Sequence, residues 1–411
     1  MTSNDLFESL RRIDEVSGSG AMFDALIESL TAQRRWHAVF DARIVQARVD
    51  CGLSPVGSPG DVPPAVRDAF DERSLAACRE VGWPLLTEGT VAAAWMYLRA
   101  AADPVDVAER LRHLATPLLE SLPVADSAEH TLEEILGVAL WEGVDPALGI
   151  RIMIATQGTC AAITAFEQAV SRLPAARQHA AASELVAHLH DDVLAGLRRD
   201  RDRAGLGASM SPSLIDAMAD LSIGPHVDVS HLQSVLRLAR ICTDPATVRK
   251  AWELSVYATR LPADLAYPGE PPFVDVGEAS RLFFGSQCGI DVDQAVRFFR
   301  SSAATADPSD GPLPHDVLVL LLARLGRHAE ALHAAVSRPR DAAALPSPLQ
   351  ASAAMPSLID LAALSGEWEL LRQACRDRDD TITFAASLIA ERQRQPKNLG
   401  PHDSQDVHGG T

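Results

Sequence analysis

The run Glu184-Leu185-Val186-Ala187-His188-Leu189-His190-Asp191-Asp192 is the sharpest concentration of side chains that could do chemistry. Read as a helix, it places Glu184, His188 and Asp192 at successive i+4 steps, on one face. Two carboxylates and an imidazole so arranged could ligate a hard or borderline divalent metal. With His190 and Asp191 added, the segment supports one functional reading, an all-α metal-dependent hydrolase. The same periodicity supports a plainer one. At about 100° per residue, Val186, Leu189, Val193 and Leu197 gather on one side, and Glu184, His188, Asp191 and Asp192 gather on the other. That is the pattern of a solvated helix face, and it is the reading the spacing favours.

Two further patterns lie in this segment. His190-Asp191 resembles the central dyad of the all-α His-Asp metal-dependent phosphohydrolases, which carry Gly soon after the dyad; Val193 and Leu194 follow here. It also resembles the phosphoacceptor box of sensor histidine kinases, but no Asn- and Gly-rich nucleotide-binding boxes follow. His315-Asp316 repeats the dyad after Pro314, where Asp316 is a favourable first-turn residue. His328 and His333 are five apart and do not share a helix face; His226 and His231 have the same spacing in a turn-like region. The chain has no Gly-rich phosphate loop, Gly-x-Ser-x-Gly elbow or His-Glu-x-x-His motif. No catalytic residue and no cofactor are assigned.

The cysteines are Cys51, Cys78, Cys160, Cys242, Cys288 and Cys375. None lies within four residues of another, so the paired spacing of a zinc ribbon is missing. Reduced and mostly buried thiols are expected, Cys160 among them. The Trp residues at 36, 83, 95, 141, 252 and 368 are spread along the chain and read as core packing. A candidate partner-binding loop runs from Leu261 to Phe273, where clustered prolines would hold Tyr267 and Phe273 at little entropic cost. The competing expectation is that both aromatics are buried beneath a hairpin end.

The elements that must position these groups are marked by a repeated pair. Asp is followed by Pro at 103–104, 145–146, 244–245 and 307–308. Asp accepts the free N–H groups of a first helical turn, and Pro fits the first helical position. Apolar residues recur at helical spacing on both sides of the first three marks. Val91, Ala94, Trp95 and Leu98 precede the first; Val107, Leu111 and Leu114 follow it. Period-two alternation does not persist, so an all-α protein of stacked helical hairpins is expected.

Near the C-terminus Leu322-Ala323-Arg324-Leu325-Gly326-Arg327-His328-Ala329-Glu330-Ala331-Leu332 resembles the turn and second helix of a tetratricopeptide-type repeat, with Gly326 and Ala331 at the family's small positions. A second copy follows around Gly366, 40 residues on, where the family period is about 34; Leu371 replaces the small residue. The resemblance implies an irregular α-solenoid that binds a protein or peptide along a concave face.

Composition bounds the rest. The chain has 411 residues, a formal net charge of −18 and only two lysines, Lys250 and Lys397. Such an acidic surface disfavours nucleic acid and anionic membranes. The polar start lacks the order of a signal peptide, and no membrane-spanning stretch is evident, so a cytoplasmic protein is expected. The polar break at 197–212 is the candidate boundary between an N-terminal lobe, 1–198, and a C-terminal repeat lobe, 212–393; 394–411 reads as a disordered tail. The oligomeric state is open, an obligate assembly through Ala-rich helix faces included.

Overall fold

The structure, a computed structural model, describes residues 3–122, 126–206, 211–265, 269, 272–307, 311–337 and 355–394. Among these every regular element is helical: 18 α-helices joined by loops, short 3₁₀ turns and one π turn. The Asp-Pro pairs act as their chemistry dictates. The carboxylates of Asp103, Asp145 and Asp244 accept the N–H groups of Val105, Leu148 and Thr247, and each following Pro opens a helix. Pro308 of the fourth pair lies outside the described residues.

The chain forms two compact units, Met1–Leu173 and Pro174–Thr411. The first contains α1 (Ser3–Ala32), α2 (Trp36–Asp50), α3 (Pro64–Thr87), α4 (Val91–Ala101), α5 (Pro104–Glu120), α6 (Asp126–Leu136) and α7 (Pro146–Ala169). Neighbours in sequence pack in order from α1 to α4. Then α4 packs on α6, which lies against both α5 and α7. The stripe Val91, Ala94 and Leu98 is buried, as are Val107, Leu111 and Ala115 across from it in sequence. The loop 51–63 is held from within: Arg48 donates to the carbonyls of Ser54 and Val56, while Val62 packs on Ala47 and Phe70.

The second unit contains α8 (Ala175–Arg203), α9 (Leu214–Ala217), α10 (Val229–Leu238), α11 (Pro245–Thr259), α12 (Val276–Gln287), α13 (Val292–Thr305), α14 (Leu313–Arg324), α15 (His328–Val336), α16 (Leu358–Ser365), α17 (Trp368–Arg378) and α18 (Thr381–Arg394). α8 supports α9, α10 and α11; from α11 onward each helix packs on its successor, and α18 lies against both α16 and α17. Gly326 and Gly366 take positive φ at the ends of α14 and α16, and Ala331 and Leu371 are fully buried.

The two contact units divide before α8, and the polar break at 197–212 lies inside the second, where Leu185, Leu189, Val193 and Leu197 bury the face of α8. Two expectations are corrected. Trp368 is buried, but Trp141 is mostly exposed, because the π turn Gly137–Trp141 turns its last residue outward. Cys160 is exposed as well; all six thiols are free. The segment Pro146–Arg172 is apolar and long enough, by composition alone, to qualify as a membrane span. Its backbone breaks at Gly158 (φ 85°, ψ 174°), and Leu148, Ile150, Ile152, Ala162 and Phe166 are buried within the protein. Residues 395–411, which include nearly all of the expected tail, lie outside the described residues.

Candidate functional site

The five residues singled out on α8 do not converge. His188 and His190 are two residues apart, about 200° around the helix, so one cannot face solvent with the other. His188 sits 3.4 Å from Asp192 on the outer side. His190 is buried and points the other way. Asp191 is exposed and lies 3.5 Å from both the His190 ring and the Lys250 ammonium. Among the described residues no group of three or more His, Cys, Asp or Glu side chains is placed to hold a metal. The expected ligand set Glu184, His188, His190, Asp191 and Asp192 is therefore divided between two faces of one helix.

What His190 meets is a buried carboxylate on α11 that sequence reading passed over. Glu253 Oε2 lies 3.1 Å from His190 Nε2 and accepts the Leu214 N–H at 2.8 Å. Its Oε1 accepts Ser213 Oγ–H at 3.1 Å and Arg249 Nε–H at 3.2 Å. Burial alone would raise this carboxyl, but the bonds from His190, Leu214, Arg249 and Ser213 outweigh it and hold Glu253 down at about 2. Arg249 in turn stacks on Trp252, 4.3 Å from the ring centre. Ser, His and Glu here invite comparison with a hydrolytic triad, but the order is wrong. A nucleophilic hydroxyl must touch the imidazole that takes its proton; Ser213 touches the carboxylate. The cluster instead caps α9 and fixes the chain that follows α8.

A second polar cluster anchors the same connection. His226 Nε2 is 2.7 Å from Asp200 Oδ2, and its Nδ1 is 3.1 Å from the Tyr257 hydroxyl. That hydroxyl also accepts the His226 N–H and donates to the Gly224 carbonyl. The bond from His226 holds Asp200 below the usual carboxylate range, and burial pushes Tyr257 up. Tyr257 is fully buried, so no reactant reaches its hydroxyl. The imidazole rests on α8 only because position 196 is Gly; a Cβ there would stand 2.4 Å from its ring.

The candidate partner loop divides between two fates. Tyr267 lies outside the described residues. Phe273 is buried, with Phe299 at 5.6 Å and the Arg240 guanidinium at 5.8 Å from its ring centre, so it is not displayed to a partner. An aromatic beside prolines on a covered hairpin end gains more from burial than from exposure.

A different feature offers an accessible surface. In the first unit, Trp83 of α3 and Asp106, Glu109, Arg110 and His113 of α5 line an open groove of about 560 Å³. Positions 106, 109, 110 and 113 fall at i, i+3, i+4 and i+7, one stripe of a helix, and all four are exposed. The opposite stripe, Val107, Leu111 and Ala115, is buried. The stripe is legible in sequence; the Trp83 ring across from it is not, since it lies 23 positions before Asp106 with another helix between. The groove offers an aromatic face, two carboxylates, a guanidinium and an imidazole, with no hydroxyl or thiol nucleophile among its lining. Such a set can hold a cationic side chain by carboxylate pairing and by stacking on indole.

No protein-family model, curated protein or solved structure matches the chain.

Proposed function

We propose that this is a non-catalytic cytoplasmic scaffold of irregular, solenoid-like helical hairpins, and that it binds a basic peptide segment of a partner protein. The groove between α3 and α5 carries the reading: it is accessible, and the Trp83 indole and the Asp106 and Glu109 carboxylates line it beside Arg110 and His113. Four observations support it. Helices of the second unit pack on their successors from α11 onward, as stacked hairpins do. The two histidine clusters cap and anchor: Ser213 touches the carboxylate and not His190, and the Tyr257 hydroxyl beside His226 is fully buried. The net charge of −18 favours encounter with a basic segment over nucleic acid or anionic lipid. Six free thiols agree with a reducing compartment.

Peptide display against the purified protein tests this directly. Enriched sequences should carry Lys or Arg next to an apolar residue. Trp83→Ala should weaken their binding at least tenfold, the cost of about 1.4 kcal/mol at an interface anchor. Glu109→Arg should weaken it further at low salt than at high salt. Selected peptides that bind wild type and Trp83→Ala equally would remove the groove from the account.

A further inference from the structure

The last described helix is turned inside out. On α18 the side chains facing the core are Thr383 and Ser387, both 0% exposed. Large apolar side chains face solvent: Ile382 is 68% and Ile389 is 52% exposed, with Leu388 beside them and Arg392 at the end of the helix. Ala385, also exposed, lies between the two isoleucines. Positions 382, 385, 389 and 392 form one stripe at i, i+3, i+7 and i+10, roughly opposite the face of Thr383 and Ser387. A surface helix normally has the reverse arrangement, so this stripe is a face that burial would stabilise. Neighbouring polar groups are already engaged inward. Glu391 pairs with Arg372, Arg394 donates to the Ala363 carbonyl, and Asp380 caps the helix at the Thr383 N–H. None of them occupies the stripe.

Charge specifies what covers it. The approach to α18 interleaves Arg376 and Arg378 with Asp377, Asp379 and Asp380, and Asp379 and Asp380 are the two residues immediately before the helix; its C-terminal turn carries Arg392 and Arg394. Asp379 and Arg392 are both exposed. A second copy of α18, laid antiparallel about a twofold axis between positions 385 and 386, sets each Ile382 against the other copy's Ile389. The same operation sets each Arg392 beside the other copy's Asp379. Small residues, Ala385 and Ala386, then fall at the crossing, where two helices approach within about 8–10 Å. A parallel pair would oppose Arg392 to Arg392. The 17 residues that follow are a poor cover, because Leu399 and Val407 are their only large apolar side chains.

We propose that α18 is an isologous dimerisation helix, pairing antiparallel with α18 of a second copy of this chain through Ile382, Ala385 and Ile389. The proposal stands on the second unit alone and is independent of the groove in the first. One helix a side is a small interface, so dissociation falls in the micromolar range.

Sedimentation of the full chain from about 1 to about 200 μM, a span that brackets such an affinity, provides the test. Mass should rise from 44.0 kDa toward twice that value. Ile382→Glu and Ile389→Glu should each hold the protein monomeric with unchanged helical circular dichroism, since both side chains are exposed. Arg392→Glu should weaken the dimer about tenfold, and Asp379→Lys with Arg392→Glu should recover most of that loss. A monomer at every concentration overturns the proposal and leaves the stripe to a different protein. A dimer indifferent to both Ile→Glu variants overturns it too, by locating the contact elsewhere. Failure of the double charge reversal to recover affinity overturns the antiparallel register.

Discussion

Glu253 concentrates four donors on one buried carboxylate, and its energetics follow from that. Its ordinary value is 4.5 and the fold holds it at about 2, so folding favours the ionised form. A group depressed in this way stabilises the native state above its unfolded value. The contribution fades as pH falls from about 4.5 toward 2, where the carboxylate must be protonated in the folded protein as well. The shift corresponds to a stabilisation on the order of 3 kcal/mol at neutral pH. Glu253→Gln should therefore be well below wild type in urea midpoint at pH 7, with the gap reduced by about half near pH 3 and lost only below about pH 2. A gap that stays constant across that range would mean the carboxylate is not the group responsible. Gly196 offers a second residue-scale check. Gly196→Ala drives a methyl into the His226 ring, which must leave Asp200 and Tyr257; a loss of about 2–4 kcal/mol follows from the displaced hydrogen bonds and overpacking. Thermal unfolding that matches wild type would show that the connection relaxes freely. Neither residue stood out in sequence as chemical. Glu253 is an acidic residue at a position one turn before Tyr257 on the inward side of α11, and that misplaced polarity was the only signal available.

At the scale of elements the sequence was most legible where local chemistry decides. Asp103, Asp145 and Asp244 cap helices because the capping bond lies within three residues of the cap. The amphipathic split of α8 was read correctly for Leu189, Val193 and Leu197. The same spacing sets His190 at the edge of the apolar side; what it could not give is the buried partner 63 residues away that makes this burial tolerable. The kink of α7 was equally unreadable as a kink. Gly158 adopts φ 85° and ψ 174°, a region open essentially to glycine alone, with nothing within 4 Å of a would-be Cβ. Gly158→Ala should then cost about 1–3 kcal/mol through the backbone alone. Gly20→Ala, which also meets nothing within 4 Å but has no positive φ, should be neutral or stabilising by up to about 1 kcal/mol. Equal effects of the two substitutions in chemical denaturation would refute the strain at Gly158.

For the whole molecule, sequence pattern conveyed helicity but not assembly. Local periodicity identifies which stripe of a helix is buried; it does not say which other helix buries it. The two units meet in sequence at Leu173-Pro174 because the apolar stripe of α8 belongs with α10 and α11, a fact carried by contacts dozens of residues apart. Trp83 and the stripe of α5 were each visible in isolation, and their groove was not. The acidic charge of the chain and the carboxylates of that groove are the features that the proposed partner, a basic peptide segment, would meet. The measurement that bears most directly on this account is amide hydrogen exchange of the full protein with and without a display-selected basic peptide. Slowed exchange confined to residues 80–87 and 104–114 is the predicted result. Protection centred on residues 184–192 of α8, with the α3 and α5 segments unchanged, would contradict it.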